Sequence, residues 1–302
     1  MTDDAGAVDW IAADWGNTRL RAWAMSAGGE VIGQTTGPGV AALSGAGFAP
    51  ALADRIGHWL ADGRRTPVLA CGAIGSREGW TEIPYRKVPC TPRAEAPPPE
   101  LPCDDPRIAL RILPGLCQDN PAAVMRGEET QIAGFLAGRP DFDGVLCLPG
   151  THSFWVQISA GEVVSFQSFM TGELFDLLAA RSILRHGMGQ GGWEAGAFRT
   201  ALDDALSKPE RVAARLFELR AEYLLKDLAP EAARARLSGL LVGIELAAAR
   251  PYWLGQEVAV IAGEGLAGVY GAALTAQGMP PASEDSGRMV RAGLARIRAT
   301  LD

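Results

Sequence analysis

Residues 13–32, ADWGNTRLRAWAMSAGGEVI, decide the fold of this chain, because residues 148–164, LPGTHSFWVQISAGEVV, repeat their pattern. In both stretches an apolar strand comes before a turn of glycine and small polar residues, and a second strand, a glycine turn and a third strand follow. Gly16 and Gly150 open the two turns and lie 134 positions apart, which is about the length of one domain. The repeat predicts two copies of one domain fold, each beginning with a β-hairpin.

Length and charge indicate the number of domains and exclude two classes of protein. The chain has 302 residues, with 28 Lys+Arg against 35 Asp+Glu and a formal net charge of −7. This length favours two domains. An acidic chain is not expected to bind nucleic acid, since phosphate binding needs clustered Lys and Arg. We also expect no membrane association, because no apolar run reaches the roughly 18–20 residues of a membrane span.

From the N-terminal residues and the cysteines we expect a cytoplasmic protein. The opening residues MTDDAGAVDW carry two early acids and no basic-then-apolar segment, so we expect no secretory signal. Five widely spaced cysteines without a Cys-x-x-Cys pair argue against a disulfide framework or a zinc site. The three histidines are too far apart for a His-x-x-x-His metal site.

The first turn, Asp14-Trp15-Gly16-Asn17-Thr18, has the residue types of a phosphate site. Backbone N–H groups and the Thr18 hydroxyl can bind phosphate oxygens. Asp14 can hold Mg²⁺, which prefers one or two carboxylates together with phosphate oxygens. An ordinary hairpin turn, in which Asp, Gly and Asn are favoured anyway, is the alternative.

The second turn, Gly150-Thr151-His152-Ser153, offers two hydroxyls and an imidazole but no carboxylate. Two such hairpins from two domains could grip a triphosphate between them. Arg126-Gly127-Glu128-Glu129-Thr130 stands between the turns and predicts a helix start with a candidate general base. Neighbouring helix residues point about 100° apart, so Glu128 and Glu129 cannot share one role. Two acids that merely stabilise a helix start are the alternative.

Gly263-Glu264-Gly265-Leu266-Ala267-Gly268 matches the G-x-G-x-x-G pattern of dinucleotide-binding domains. We reject that interpretation because only 40 residues follow Ala262, and Pro280-Pro281 interrupts them. The glycines would instead let the backbone approach a nucleoside. The chain also lacks G-x-x-x-x-G-K-[ST], which excludes a P-loop NTPase.

The order of these motifs resembles the actin-like ATPase superfamily, which includes sugar kinases, hexokinases and Hsp70-type proteins. The chain is most similar to the 2-keto-3-deoxygalactonate kinase (2-dehydro-3-deoxygalactonokinase) family. Its blocks span nearly the whole chain and include AADWGNTRLRAW, CGAIGSREGW, PGLCQDNPAAVMRGEETQIAG, LPGTHSFWVQ, FMTGELFDLL and LSGLLVGIEL.

The resemblance implies an α/β fold of two ribonuclease-H-like domains with an interdomain cleft. The first domain would span residues 1–118, completed by the C-terminal helix 287–302, and the second would span residues 119–286. It also implies a cytoplasmic enzyme of galactonate breakdown that uses ATP and Mg²⁺ to phosphorylate the 6-hydroxyl of 2-dehydro-3-deoxy-D-galactonate. The alternatives are a kinase for another small sugar acid or polyol, and a nucleotide-dependent switch or binding protein of the same superfamily.

The same resemblance assigns roles to single residues. Asp14 would lie near Mg²⁺. The ATP-binding residues would be Asp14, Gly16, Asn17, Thr18, Arg19, Gly150, Thr151, His152, Ser153, Gly263, Glu264 and Gly265. Glu128 would be the base, assisted by Arg126. Candidates for the sugar side are Ser76, Arg77, Trp80, Tyr85 and Glu173. Arg126 or Arg77 would bind the substrate carboxylate, since Arg pairs well with carboxylates. The sequence leaves the oligomeric state open.

Overall fold

The computed structural model describes residues 8–93, 96–189 and 191–301. Residues 1–7, which hold most of the segment used to exclude a secretory signal, lie outside the described residues. The strands are β1 (Trp10–Trp15), β2 (Arg19–Met25), β3 (Val31–Pro38), β4 (Thr66–Cys71), β5 (Arg86–Lys87), β6 (Ile108–Ile112), β7 (Leu116–Asp119), β8 (Ala122–Met125), β9 (Gly144–Leu148), β10 (Ser153–Ser159), β11 (Glu162–Phe169), β12 (Val258–Ala262) and β13 (Ala282–Asp285). The α-helices are α1 (Phe48–Ile56), α2 (Glu128–Gly138), α3 (Thr171–Arg181), α4 (Ala195–Ser207), α5 (Val212–Leu225), α6 (Pro230–Ala248), α7 (Arg250–Trp253), α8 (Glu264–Ala276) and α9 (Ser286–Arg298).

Two five-stranded sheets have the same topology. The first has the order β3-β2-β1-β4-β6, and the second has the order β11-β10-β9-β12-β13. In the first, β2 is antiparallel to β1 and β3, while β4 is parallel to β1 and β6. In the second, β10 is antiparallel to β9, while β12 is parallel to β9 and β13. This is the topology of a ribonuclease-H-like domain. The predicted duplication and the predicted fold class are therefore confirmed.

The first sheet is buried on both faces because successive side chains of β1 point to opposite sides. Ile11 and its like-facing neighbours pack with Phe48 and Leu52 of α1. Trp10 and Ala12 pack on the other side with apolar residues of α9, namely Val290, Leu294 and Ile297. A strand that is buried on both faces must be almost wholly apolar, as WIAADW is. Asp14 is therefore an exception that calls for a chemical reason.

The chain forms two compact units. The first comprises Met1–Phe142, Ser159–Ser165 and Ser286–Asp302, and the second comprises Asp143–Ile158 and Phe166–Asp285. The first unit thus extends past the expected boundary at residue 118. The reason is that α2 packs against α9 at two glycines. A Cβ on Gly134 would lie 2.0 Å from the Met289 carbonyl oxygen, and one on Gly293 would lie 2.0 Å from the Thr130 carbonyl oxygen.

The helices α4, α5 and α6 follow one another closely, with breaks at Pro209 and Pro230. A small third sheet, β5-β7-β8, was not predicted. No helix among the described residues is both long enough and apolar enough to cross a lipid bilayer.

Candidate functional site

The first hairpin turn is held rigidly by its own backbone. The Gly16 N–H donates to the Arg19 carbonyl at 3.0 Å, and the carbonyls of Gly16 and Asn17 accept from the N–H groups of residues 40 and 41. Gly39 permits this contact, because a Cβ there would lie 2.2 Å from the Asn17 carbonyl oxygen. Asn17, Thr18 and Arg19 are exposed. The turn therefore offers the polar groups predicted for phosphate binding.

Asp14 forms an ion pair with Arg21. The two residues are opposite each other in the β1–β2 register, and Asp14 Oδ2 accepts from Arg21 Nη2 at 2.5 Å and from Nε at 3.2 Å. The Arg21 guanidinium in turn lies 5.6 Å from the centre of the Trp23 ring. A Cβ on Gly72 would lie 3.4 Å from Asp14 Oδ1. Arg21 therefore engages Oδ2, and Oδ1 lies on the side of Gly72.

The two candidate bases begin α2 in different environments. Glu128 is half-buried and its Oε2 accepts from the Arg126 backbone N–H at 3.0 Å. Glu129 is 1% exposed; its Oε2 accepts from the Gly127 N–H at 2.7 Å and its Oε1 from the Thr130 hydroxyl at 3.1 Å. The Glu129 carboxylate is therefore occupied by protein donors, while Glu128 keeps a side that solvent can reach.

Burial changes the proton affinity of both carboxyls. Desolvation, followed by the charge of Glu129, raises the pKa of Glu128 to about 8. Desolvation raises the pKa of Glu129 to about 7, although the Gly127 N–H opposes it. Two acids this close titrate as a coupled pair. A carboxylate whose pKa lies near neutrality is a much stronger base than an exposed glutamate, and this suits Glu128 to general-base catalysis.

Arg126 connects the loop 76–85 to the start of α2. Its Nη2 donates to the Ile83 carbonyl at 2.7 Å, and its guanidinium lies 4.0 Å from the centre of the Tyr85 ring. Nε and Nη1 are buried without a hydrogen-bond partner. A Cβ on Gly75 would lie 3.0 Å from Nη1, so Gly75 leaves room for the guanidinium. The half-buried Arg126 side chain thus keeps two buried donors without an acceptor.

The other sugar-side candidates differ in their surroundings. Arg77 has a side chain 80% exposed that pairs with Glu82 at 3.6 Å, so it does not join Arg126. Trp80 stacks on Phe48 at 6.3 Å and packs against the first core, which accounts for it structurally. Ser76 and Tyr85 remain half-buried in the same loop. Of the two arginines, Arg126 is the one with buried donors that have no partner.

The second turn is tied to α3. The Glu173 N–H donates to the Thr151 carbonyl at 2.8 Å, and a Cβ on Gly172 would lie 2.1 Å from the Gly150 carbonyl oxygen. His152 Nε2 lies 2.8 Å from Glu173 Oε2. Glu173, the candidate for bonding a sugar hydroxyl, lies beside the second turn because α3 begins directly against that turn.

Ser153 does not present its hydroxyl as the sequence predicted. It is fully buried, and its Oγ lies 3.0 Å from the Tyr270 hydroxyl. The Tyr270 hydroxyl donates to Glu245 Oε2 at 2.8 Å, and Trp155 Nε1 donates to Glu245 Oε1 at 2.8 Å. Glu245 was not predicted, because it lies within the apolar run of residues 239–249 in α6. The side chain of Ser153 therefore belongs to a buried network behind the turn.

A cavity of about 470 Å³ opens beside the second turn. Gly150 and Thr151 line one end, and Gly265 of α8 lines another part. The remaining lining residues include Thr171, Gly172, Phe175, Asp176, Trp193, Arg234, Ser238, Leu241, Val242, Leu266, Val269 and Tyr270. The Arg234 guanidinium lies 4.8 Å from the Phe175 ring centre. The size lies within the usual range of small-molecule sites, roughly 300–1,000 Å³.

The glycines at the start of α8 adjoin open space. A Cβ on Gly263 or Gly265 would meet no atom within 4 Å, and both residues, like Glu264, are exposed. Packing within the protein therefore does not require glycine at these positions, whereas close approach of a ligand in the cavity would require it. β12, α8 and β13 form a single βαβ unit that ends in α9, so the extended dinucleotide-binding topology is absent from this part of the described chain.

The described residues contain no group of three or more His, Cys, Asp or Glu side chains arranged to hold a metal ion. A metal that arrives with a nucleotide needs fewer protein ligands, since phosphate oxygens and water complete its octahedral coordination. Asp14 fits such a site, because it is a partly exposed carboxylate in an otherwise apolar strand, next to an exposed turn of glycine and small polar residues.

Comparison with known proteins gives a consistent result. A family model described as "DGOK: 2-keto-3-deoxy-galactonokinase" matches residues 14–297. "Probable 2-dehydro-3-deoxygalactonokinase DgoK1" of Rhizobium meliloti (strain 1021) is 35% identical over 300 residues, covering 94% of this chain and 95% of the relative. "2-dehydro-3-deoxygalactonokinase" of Escherichia coli (strain K12) is 34% identical over 291 residues, covering 95% and 97%.

A solved structure is similar over the same extent. The crystal structure of a Sinorhizobium meliloti protein described as a 2-dehydro-3-deoxygalactonokinase matches with a TM-score of 0.87 at 34% identity. The match covers 97% of this chain and 96% of that chain. Both ribonuclease-H-like copies therefore fall within the similarity.

Proposed function

This chain belongs to the 2-keto-3-deoxy-galactonokinase family, and from that premise we propose that it transfers the terminal phosphoryl group of ATP to the 6-hydroxyl of 2-dehydro-3-deoxy-D-galactonate. It is a phosphotransferase with an alcohol group as acceptor. The reaction would take place in the cytoplasm during galactonate breakdown. The observation that carries the proposal is the half-buried carboxylate of Glu128, whose pKa lies near neutrality at the start of a helix.

We assign the nucleotide to the second unit. The cavity has a flat face formed by Phe175 under the Arg234 guanidinium, which suits a planar base. Gly265 leaves space at the start of α8 for the sugar of a nucleoside. Thr151 lines the same cavity and is exposed at the second turn, so phosphates extending from it would reach the turn.

His152 would donate a hydrogen bond to a phosphate oxygen. Its Nε2 faces the Glu173 carboxylate at 2.8 Å, which leaves Nδ1 for the ligand. Glu173 is thereby assigned to orienting His152 rather than to contacting the sugar acid.

Glu128 is assigned to proton removal. The 6-hydroxyl oxygen of the sugar acid attacks the γ-phosphorus as its proton passes to the free Glu128 carboxylate oxygen. The bond from the γ-phosphorus to the bridging oxygen breaks, and ADP leaves with that electron pair. Glu129 keeps α2 in place through the Gly127 N–H and raises the basicity of Glu128 by its charge. We therefore assign Glu129 to orienting the start of α2 rather than to proton removal.

Asp14 and the first turn are assigned to the metal and the terminal phosphates. Mg²⁺ bound with ATP supplies charge neutralisation at the transferring phosphoryl group. Asp14 Oδ1 would hold it, directly or through water, while Arg21 fixes the other oxygen. The exposed N–H groups and the Thr18 hydroxyl of the turn would bind phosphate oxygens.

Arg126 is assigned to the carboxylate of the sugar acid. Its Nε and Nη1 have no acceptor, and buried donors without a partner strongly favour gaining one. A carboxylate can bind a guanidinium along its Nε–Nη2 edge or along its Nη1–Nη2 edge, and each edge uses a different Nη2 hydrogen. The Ile83 carbonyl accepts one of these two hydrogens, so the other edge keeps both of its donors. Nε and Nη1 are buried, so the substrate would reach them only after a local rearrangement of the surrounding groups.

The test is a panel of 2-keto-3-deoxy sugar acids, other sugar acids and polyols incubated with Mg·ATP and analysed for phosphorylated product. We expect turnover of 2-dehydro-3-deoxy-D-galactonate with phosphate on the 6-hydroxyl. If only a different acid or polyol is phosphorylated, the proposed substrate is wrong and the proposed kinase activity stands. Slow ATP hydrolysis that no sugar acid alters would instead favour a nucleotide-dependent switch.

A further inference from the structure

A buried carboxylate without a role in the proposed chemistry lies behind the second turn. Glu245 of α6 is 1% exposed. It accepts from Trp155 Nε1 and from the Tyr270 hydroxyl, both at 2.8 Å. The hydroxyls of Thr171 and Ser153 also hydrogen-bond to it. These four donors belong to β10, α3 and α8, so one side chain connects three elements to α6.

The number of donors explains how the charge is tolerated. A buried ionised carboxylate is costly unless its lone pairs are filled, and its two oxygens offer about four acceptor positions. Burial raises the pKa of Glu245, and the four donors act in the opposite direction. A fully satisfied network of this kind is rigid, whereas a half-satisfied one is not.

The network meets the nucleotide cavity from behind. Thr171 and Tyr270 are both network donors and cavity-lining residues. Ser153 follows His152 directly in the chain, and Gly172, next to Thr171, touches the Gly150 carbonyl. A shift of the Glu245 carboxylate would therefore move the second turn, the start of α3 and the α8 wall together.

We infer that Glu245 is a positioning residue that sets nucleotide affinity by fixing the positions of the second turn, the start of α3 and the α8 wall of the cavity. It touches neither ATP nor the sugar acid. This inference rests on the proposed binding of ATP by the second unit. It concerns binding alone, so it can be tested without any sugar acid.

Glu245→Gln is the decisive variant because the shape is kept while one acceptor oxygen becomes an amide donor. The new NH₂ group would face hydrogen-bond donors, so at least one hydrogen bond of the network must be lost or must change direction. We expect the Kd for Mg·ATP, measured by calorimetry, to rise about 10–100-fold, the range for an unsatisfied buried polar group. At saturating ATP, kcat should stay within about threefold, because the reacting groups are untouched.

Two further measurements separate positioning from loss of folding. Tyr270→Phe keeps the ring and removes one donor, so it should weaken ATP binding by about 3–10-fold in a protein that still unfolds cooperatively. The double variant should weaken binding by less than the product of the two single effects, since both act through one network. Glu222→Gln is the matched control, because Glu222 is paired with Arg236 in the same unit and lies outside the network.

The outcomes are distinct. Wild-type ATP affinity in both Glu245→Gln and Tyr270→Phe would overturn the inference, as would a loss of kcat with an unchanged Kd. If the wild-type protein binds Mg·ATP but phosphorylates no sugar acid, the proposed substrate fails and the role of Glu245 is still decided by the Kd values. A wild-type protein that binds no nucleotide would overturn both.

Discussion

Replacing Glu128 by Gln should separate phosphoryl transfer from nucleotide binding. The amide has the shape of the carboxyl group but cannot accept the substrate proton. We expect kcat to fall about 10²–10⁴-fold, equivalent to roughly 3–5 kcal/mol in the barrier. The Kd for Mg·ATP should stay within about threefold, because the nucleotide is assigned to other groups. Product formation by the purified variant and calorimetry with ATP measure the two quantities.

The pH dependence gives a second magnitude for the same residue. The pKa of Glu128 is raised to about 8, so roughly one-tenth of it is ionised at pH 7. In the wild-type protein kcat/KM should therefore rise about tenfold between pH 7 and pH 9. Glu129→Gln removes the neighbouring charge that holds the pKa of Glu128 high, so the rise should move to lower pH with a modest change in maximal rate.

Glu162→Gln is the control, since this exposed glutamate of β11 should leave both the rate and the profile unchanged. Full activity in Glu128→Gln would refute the assignment. A large loss in Glu129→Gln with a mild effect in Glu128→Gln would show that the base is Glu129. A profile that is flat from pH 7 to pH 9 would mean that the raised proton affinity is not used in catalysis.

Three further results should follow from the structure. Gly265→Leu should raise the Kd for Mg·ATP at least about tenfold by filling the cavity, whereas Gly271→Leu, also with open space around it but away from the cavity, should not; calorimetry compares them. His152→Ala and Glu173→Gln should each raise the KM for ATP about 3–30-fold with little change in the KM for the sugar acid, as steady-state kinetics would show. Burial raises the pKa of Glu129 to about 7, so at pH values between the usual pKa of a glutamate and 7 this group binds a proton in the folded state but not in the unfolded state. The thermal midpoint should therefore fall as the pH rises towards 8, and a thermal melt of Glu129→Gln should show a less steep fall.

The repeat explains why the fold could be predicted and why one site residue was misplaced. Gly and polar residues between apolar strands indicated both hairpins, and the shared topology confirms them. The second turn is one residue shorter, so Ser153 corresponds to Leu20 rather than to a turn residue. Leu20 is fully buried, and an alignment that allowed for the deletion would have placed the Ser153 side chain inward.

Other features depend on contacts between distant residues. Glu245 gains its role from donors on three other elements, and nothing in LVGIELAAA marks it except that it is the one acid in an apolar run. The boundary of the first unit depends on Gly134 and Gly293, which are 159 positions apart and have no local signature. Roles assigned to Glu128 and Arg126 stay predictions, but burial now gives each a physical reason.

The two copies differ in the cross-strand pair beside their first hairpin turn, although the two turns are similar in sequence. In the first, Asp14 and Arg21 are opposite each other across the hairpin, and they form an ion pair. The corresponding cross-strand pair in the second copy is Leu148 and Phe154, which are 3% and 5% exposed. A carboxylate at position 148 would be buried without a cation opposite it, and that would cost several kcal/mol. The second turn therefore has neither an acid at position 148 nor a cation opposite it, which agrees with our proposal that the metal ligand is Asp14 in the first copy.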